Sequence, residues 1–309
     1  MSVSVITVRR LKDISLPDLG RQLRGVGVRL RVSPFVVTIR SDIPVVAEGL
    51  SVLYANHEVL SVAEGFSDFH VAVISRRGWG RSKCVFQMDG VEPFTPLAIN
   101  EAFAFLEWGL NWCVTSQCHQ WITLHAAVLE RGGRAVLLPA PPGSGKSTFC
   151  AALMMDGWRL LSDEMVLLDP KTLLVTPSVR PISLKNRSID LMKERAPQGR
   201  FGPVARDTLK GTVCHLAISD ESLEKADTPA TPAWIVFPRY QRDAGLSVEP
   251  RGRASALAEL FSNCFNHQVH GREGFRAMVR LMAQVKAFDL VYDDLEAALS
   301  WMAAQVDAA

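Results

Sequence analysis

The run Ala140-Pro141-Pro142-Gly143-Ser144-Gly145-Lys146-Ser147 follows the Walker A pattern, with alanine in place of its first glycine. Each residue type has a chemical reason. Gly143 and Gly145 allow the backbone to turn its N–H groups inward, where, with Ser144 and Thr148, they can cradle phosphates. Lys146 then reaches the β- and γ-phosphates, and the Ser147 hydroxyl is placed to ligate magnesium. A second constellation is Ser162-Asp163-Glu164, two adjacent acids within an apolar stretch from Leu160 to Leu168. One acid there is an ordinary magnesium ligand, and a second could accept the proton of an attacking hydroxyl. Neighbours on a strand point to opposite faces, so one acid can face the phosphates while the other faces elsewhere or sits at a bend. The competing reading is a strand edge that shows both acids to solvent. His125 stands one strand ahead of the glycine-rich run. By itself such a histidine is more often structural than catalytic.

These residues need elements to hold them. Leu124 to Glu130 and Arg134 to Pro139 are apolar runs separated by Arg131-Gly132-Gly133, which predicts two strands joined by a tight turn, the second delivering the chain to the loop. His125 then begins the first strand. Ser147 to Met155 lacks glycine and proline, and Asp156-Gly157 follows, so the spacing predicts a helix closed by a left-handed residue. A strand over Trp158 to Leu168 completes a strand, loop, helix, strand unit, in which a phosphate sits on a helix N-terminus.

The flanks are read more coarsely. Residues 1 to 97 alternate with a period near two at Val28–Val32 and Phe69–Val73, which predicts a β-rich N-terminal domain without a chemical motif. From Ala98, the residues Ile99, Ala102, Phe103, Leu106, Leu110 and Cys113 recur at helical spacing, giving a helix that links this part to a second domain over 98–309. Residues 170 to 232 are rich in Pro, Gly, Arg and Lys and read as loops over the site with short strands. Trp234-Ile235-Val236-Phe237 reads as a buried strand stopped by Pro238. Three helices follow, marked by Leu257, Leu260, Phe261 and Cys264, by Phe275, Met278, Val279 and Met282, and by Leu295, Ala298, Leu299 and Met302, and their Met and Phe residues read as core.

Composition narrows the class. With 309 residues, 48% hydrophobic and 21% charged, the chain can bury a sizeable core without staples. A formal charge of +2 with scattered basic residues argues against a nucleic-acid partner. No apolar stretch is long enough to cross a bilayer, and Arg9 and Arg10 interrupt the start at Met1 to Leu11, so the expectation is a cytoplasmic protein without a membrane partner. The six cysteines lack paired CxxC spacing and read as reduced core residues. Cys113 and Cys118-His119 fit no zinc signature.

On these residues the segment His125 to Val166 resembles the catalytic core of HPr kinase/phosphorylase, the bacterial serine kinase whose fold is related to phosphoenolpyruvate carboxykinase. The family has a histidine before the strand pair, a P-loop Lys-Ser, and a pair of acids one helix later. Here those places are held by His125, Lys146-Ser147 and Asp163-Glu164. The resemblance implies a P-loop kinase domain preceded by a smaller β-rich domain, using ATP and Mg2+. It assigns proton acceptance to Glu164, a place in the site to Asp163, and assistance in proton transfer to His125. The family's second acid is the shorter aspartate, so which of the two acids here is the base stays open. Arg180 to Asn186, Trp234 to Tyr240 and the C-terminal helices are similar to a branch called HPr-related kinase A. The family's Arg-Gly-Leu-Gly run and the upstream glutamate that completes its magnesium site are absent, Arg180 being followed by Pro181. The implied acceptor is therefore a serine on a protein or peptide, with HPr itself disfavoured. Arg180 and Lys185 are candidates to steady the transferred group. A kinase of free serine and a nucleotide-gated binding module are the rival readings. A homo-oligomer is compatible with all three.

Overall fold

The computed structural model describes residues 8–77, 82–141 and 143–307. Pro142 of the glycine-rich run and the first residues of Met1 to Leu11 lie outside the described residues. The chain is a mixed α/β protein that divides into two compact units. One takes the residues up to Cys113 together with Gly199–Ala217, the other Val114–Gln198 and Ile218–Ala309. The division falls inside the helix expected as a linker, not ahead of it at residue 98, and 199–217 join the first unit although far along the chain.

In chain order the first unit holds α1 (Leu16–Arg24), β1 (Val28–Val32), β2 (Phe35–Ser41), α2 (Pro44–Leu53), β3 (Val59–Leu60), β4 (Phe69–Arg76), β5 (Lys83–Met88), β6 (Leu97–Ala98) and most of α3 (Ala102–Gln117). Its sheet runs β3-β1-β2-β4-β5-β6. Because β2 and β4 are parallel, the chain between them must cross over, and it does so through α2. The β-rich expectation therefore omitted two helices.

The second unit contains β7 (Ile122–Arg131), β8 (Arg134–Pro139), α4 (Lys146–Met155), β9 (Arg159–Ser162), β10 (Met165–Leu168), β11 (Val175–Thr176), β12 (Ile182–Lys185) and α5 (Arg187–Arg195). The strands β13 (Ala205–Thr208) and β14 (Gly211–Leu216) then return to the first unit, where they pair antiparallel. The second unit resumes with α6 (Asp220–Glu224), β15 (Thr231–Tyr240), β16 (Ser247–Pro250), α7 (Arg253–Ser262), α8 (His267–Gln284), β17 (Lys286–Tyr292) and α9 (Leu295–Asp307). Its mixed sheet is ordered β11-β10-β7-β8-β15-β17-β16, with β9 also paired to β7. The hairpin β7–β8 turns at Gly132 and Gly133, both at positive φ (+62° and +80°), as a tight right-twisted turn requires. Both β8 and β9 run antiparallel to β7, so the chain leaving β8 has to cross over before it returns, and α4 is that crossover. Phe149 to Met154 are all buried, which is why α4 shows no narrow apolar stripe. Across the sheet, Leu137, Ile235 and Ala287 pack with Ala256 and Leu260 of α7 and with Met278, Leu281 and Met282 of α8. Each large side chain so buried contributes roughly 1.5–3 kcal/mol.

Several expectations are corrected. The strand expected over Trp158 to Leu168 is two strands, β9 and β10, broken at Asp163-Glu164, so the acids sit at a break and not inside a strand. β7 starts at Ile122, ahead of Leu124, because Ile122 to Leu124 pair with β10, and this places His125 within the strand and not at its start. Pro238 does not stop β15. β8 covers β15 only as far as Ile235, so beyond it the strand is paired on one side alone, where a missing N–H is tolerated. The helix expected from Ala98 begins at Ala102, after a 3-10 turn over Ile99–Glu101. Phe275 and Val279, expected in the core, are 47% and 43% exposed, and Cys264 lies past the end of α7 although it is buried. Residues 170–232 also hold α5, whose only buried side chains are Ile189 and Met192, too few for a periodic signal. All six cysteines are buried. Among the described residues, no helix is long and apolar enough to cross a membrane.

Candidate functional site

Past β8 the backbone turns through Gly143 (φ +86°) and Gly145 (φ +91°), a conformation that a Cβ disfavours. Gly145 caps α4, so the loop feeds directly into the helix N-terminus, where free N–H groups and the helix dipole favour an anion. The loop is tied down from outside: the Tyr240 N–H donates to the Ser144 carbonyl at 2.9 Å, and Tyr240 Cβ and the Tyr292 hydroxyl crowd the position a Cβ on Gly145 would take, each 3.2 Å away.

The side chains converge just beyond. Lys146 is 8% exposed, and its Nζ donates to the Asp163 backbone carbonyl at 2.8 Å. Ser147 Oγ donates to Asp163 Oδ2 at 3.2 Å, and the Ser183 N–H donates to the same oxygen at 3.1 Å. Asp163 Oδ1 is buried and has no hydrogen-bond partner. Glu164 turns the other way, its Oε2 3.3 Å from His125 Nε2. The break between β9 and β10 thus sends neighbouring acids in opposite directions, one to the loop and one to β7. His125 is held by its own N–H, which donates to the Asn263 carbonyl at 2.8 Å, and its ring lies 5.8 Å from that of Phe265.

The two carboxyls differ electrostatically. Burial pushes Asp163 up, the Lys146 ammonium opposes this, and the negative Glu164 adds to it, leaving the group above its ordinary value of 3.8. Burial would also raise Glu164, but the hydrogen bond from His125 and the charges of Lys146, His125 and Lys185 outweigh it and hold that carboxyl far below the usual range. Glu164 is therefore the standing anion and, at 28% side-chain exposure, the one an incoming molecule can reach.

The oxygens fit a hard cation. Ser147 Oγ and Asp163 Oδ2 face each other, and the orphaned Oδ1 offers a further ligand in a site whose charge a divalent ion would restore. Among the described residues, no group of three or more His, Cys, Asp or Glu is arranged to hold a metal. A cation here thus needs phosphate oxygens and water to complete its shell, which is how magnesium is commonly held.

Of the residues singled out from sequence, Lys146, Ser147, Asp163, Glu164 and His125 are brought together. Lys185 ends β12, half-buried and near enough to lower Glu164. Arg180 lies between β11 and β12 and is buried at 8% exposure. Gly143, Gly145 and Thr148 line a cavity beside the loop. The sequence reading missed Ser183, Tyr240 as a loop contact, and Tyr292. Ser183 acts through its backbone and Tyr292 arrives on a distant strand, so neither leaves a local signal. No protein-family model matches the chain, and no curated protein matches its sequence.

Proposed function

We propose that the chain is an ATP- and magnesium-dependent kinase of the HPr kinase/phosphorylase type, in which a P-loop kinase domain transfers the γ-phosphoryl group to a serine hydroxyl of a protein or peptide. The observation that carries this reading is the meeting of Lys146, Ser147 and Asp163 at a left-handed glycine loop, with Glu164 and His125 beside them. The N–H groups from Gly143 to Thr148 and the Lys146 ammonium cradle the phosphates of ATP. Ser147 and Asp163 would hold the magnesium, which when bound would neutralise charge on the phosphate oxygens. Glu164 orients the acceptor hydroxyl and accepts its proton, and His125, 3.3 Å away, assists the transfer because a carboxylate held so low keeps a proton poorly. A phosphoryl transition state asks mainly for placement and positive charge, so Lys146 and Lys185 stabilise the charge that spreads over the transferred group. Two carboxylates with separate tasks favour transfer over a nucleotide switch, which has no use for the second.

Replacing Glu164 with Gln tests the assignment. ATP binding measured by calorimetry should stay within about threefold, and transfer should fall by about 10²–10⁴, the usual contribution of a positioned base. A Gln variant that transfers at the normal rate removes Glu164 from the base role.

A further inference from the structure

A loop that grips phosphates leaves the rest of the ligand to be accommodated elsewhere. Beside it lies a cavity of about 750 Å³ whose lining includes Gly145, Thr148, Arg187, Tyr240 and Tyr292. That volume is in the range of pockets that enclose small organic molecules. Tyr292 is 2% exposed, and its hydroxyl has no hydrogen-bond partner although it is buried against the loop. Buried hydroxyls are almost always paired, so an orphan at a cavity wall points to a ligand. The Tyr240 ring meets that of Tyr292 edge to face, with centroids 5.9 Å apart at 75°, and Tyr240 is still 46% exposed, so the residue remains accessible to a stacking partner. Asp293 also lines the cavity and is held by the Gly245 N–H at 3.1 Å from its Oδ2. A carboxylate so fixed suits the hydroxyls of a ribose.

The cavity on the other flank of the loop, about 570 Å³, is less suited. Its Arg251 is engaged by Asp289 and lies over the Phe237 ring, 4.0 Å from the centroid.

We propose that the larger cavity is the nucleoside subsite: the base stacks on Tyr240, the Tyr292 hydroxyl hydrogen-bonds the nucleoside, and Asp293 accepts from the ribose. This rests on the reading of Gly143 to Thr148 as a phosphate loop. Arg187, the first residue of α5, also lines the cavity.

Calorimetry with ATP and with inorganic tripolyphosphate, both with magnesium, separates the two layers. Wild-type protein should bind ATP at least about tenfold more tightly than tripolyphosphate. Tyr240→Ala should remove about tenfold of the ATP affinity, the scale of one base–aromatic stack, and change tripolyphosphate binding far less. Tyr292→Phe, which keeps the ring and removes only the hydroxyl, should also weaken ATP selectively. If ATP binds no better than tripolyphosphate, or if Tyr240→Ala weakens both ligands equally, the nucleoside subsite is overturned while the phosphate loop stands. If neither ligand binds, the loop reading itself fails and takes the subsite with it.

Discussion

Replacing Gly145 with alanine sets a Cβ into a left-handed backbone and against two side chains at once. The conformation alone, at φ +91°, costs an L-residue roughly 1–2 kcal/mol. Tyr240 Cβ and the Tyr292 hydroxyl would each stand 3.2 Å from the new atom and must give by a few tenths of an ångström, and overpacking of this kind adds about 1–3 kcal/mol. Gly143 supplies the internal control: its φ is +86°, but a Cβ there meets nothing within 4 Å, so Gly143→Ala carries the conformational cost only. The expected losses are about 1–2 kcal/mol for Gly143→Ala and about 2–5 kcal/mol for Gly145→Ala. At about 2–4 °C per kcal/mol for a domain of roughly 150–250 residues, thermal unfolding should separate the two variants by several degrees. Equal shifts would refute the packing of Tyr240 and Tyr292 on the loop. A Gly143→Ala variant as stable as wild type would refute the left-handed loop itself.

Asp163→Asn should abolish magnesium-dependent transfer without destabilising the fold. Asp163 titrates above its ordinary 3.8 when folded, so its favourable contribution is complete below that value and is lost as pH rises through the folded one. At neutral pH the amide, which can still accept from Ser147 and from the Ser183 N–H, is expected to melt at or above the wild-type temperature, and a drop of several degrees would count against the assigned shift. Glu130→Ala should cost about 3–5 kcal/mol in urea unfolding, because it strands the Arg159 guanidinium, whose side chain is 3% exposed, beside only the carbonyls of Lys225 and Thr228. A loss below about 1 kcal/mol would mean that the buried pair is dispensable.

Much of this site was legible because its parts lie close in sequence and obey local rules. Gly132-Gly133, the glycines at 143 and 145, and Gly157 all adopt the positive φ that their positions require, so the strand, loop and helix around Lys146 follow from turn chemistry. What stayed hidden depends on the tertiary arrangement. The two acids allowed a bend to be weighed at Asp163-Glu164, but not that it would divide the run into two strands paired with different stretches of β7. Tyr292 reaches the loop from β17, a strand that the sequence reading did not foresee between two helices. The inclusion of 199–217 in the first unit is a long-range choice that periodicity cannot express. Phe275 and Val279 misled for a related reason: helical spacing marks an apolar face but not whether that face is covered.

The central claim is phosphoryl transfer through Lys146, and γ-labelled ATP tests it most directly. The purified protein is incubated with labelled ATP, magnesium and a lysate from its own source, with Lys146→Ala in parallel, and the products are resolved by gel and mass spectrometry. Label is expected on a serine of a protein or peptide and should disappear in the Lys146→Ala reaction. Label that persists in that variant would contradict the P-loop mechanism, and label confined to small molecules or free phosphate would contradict a protein or peptide acceptor.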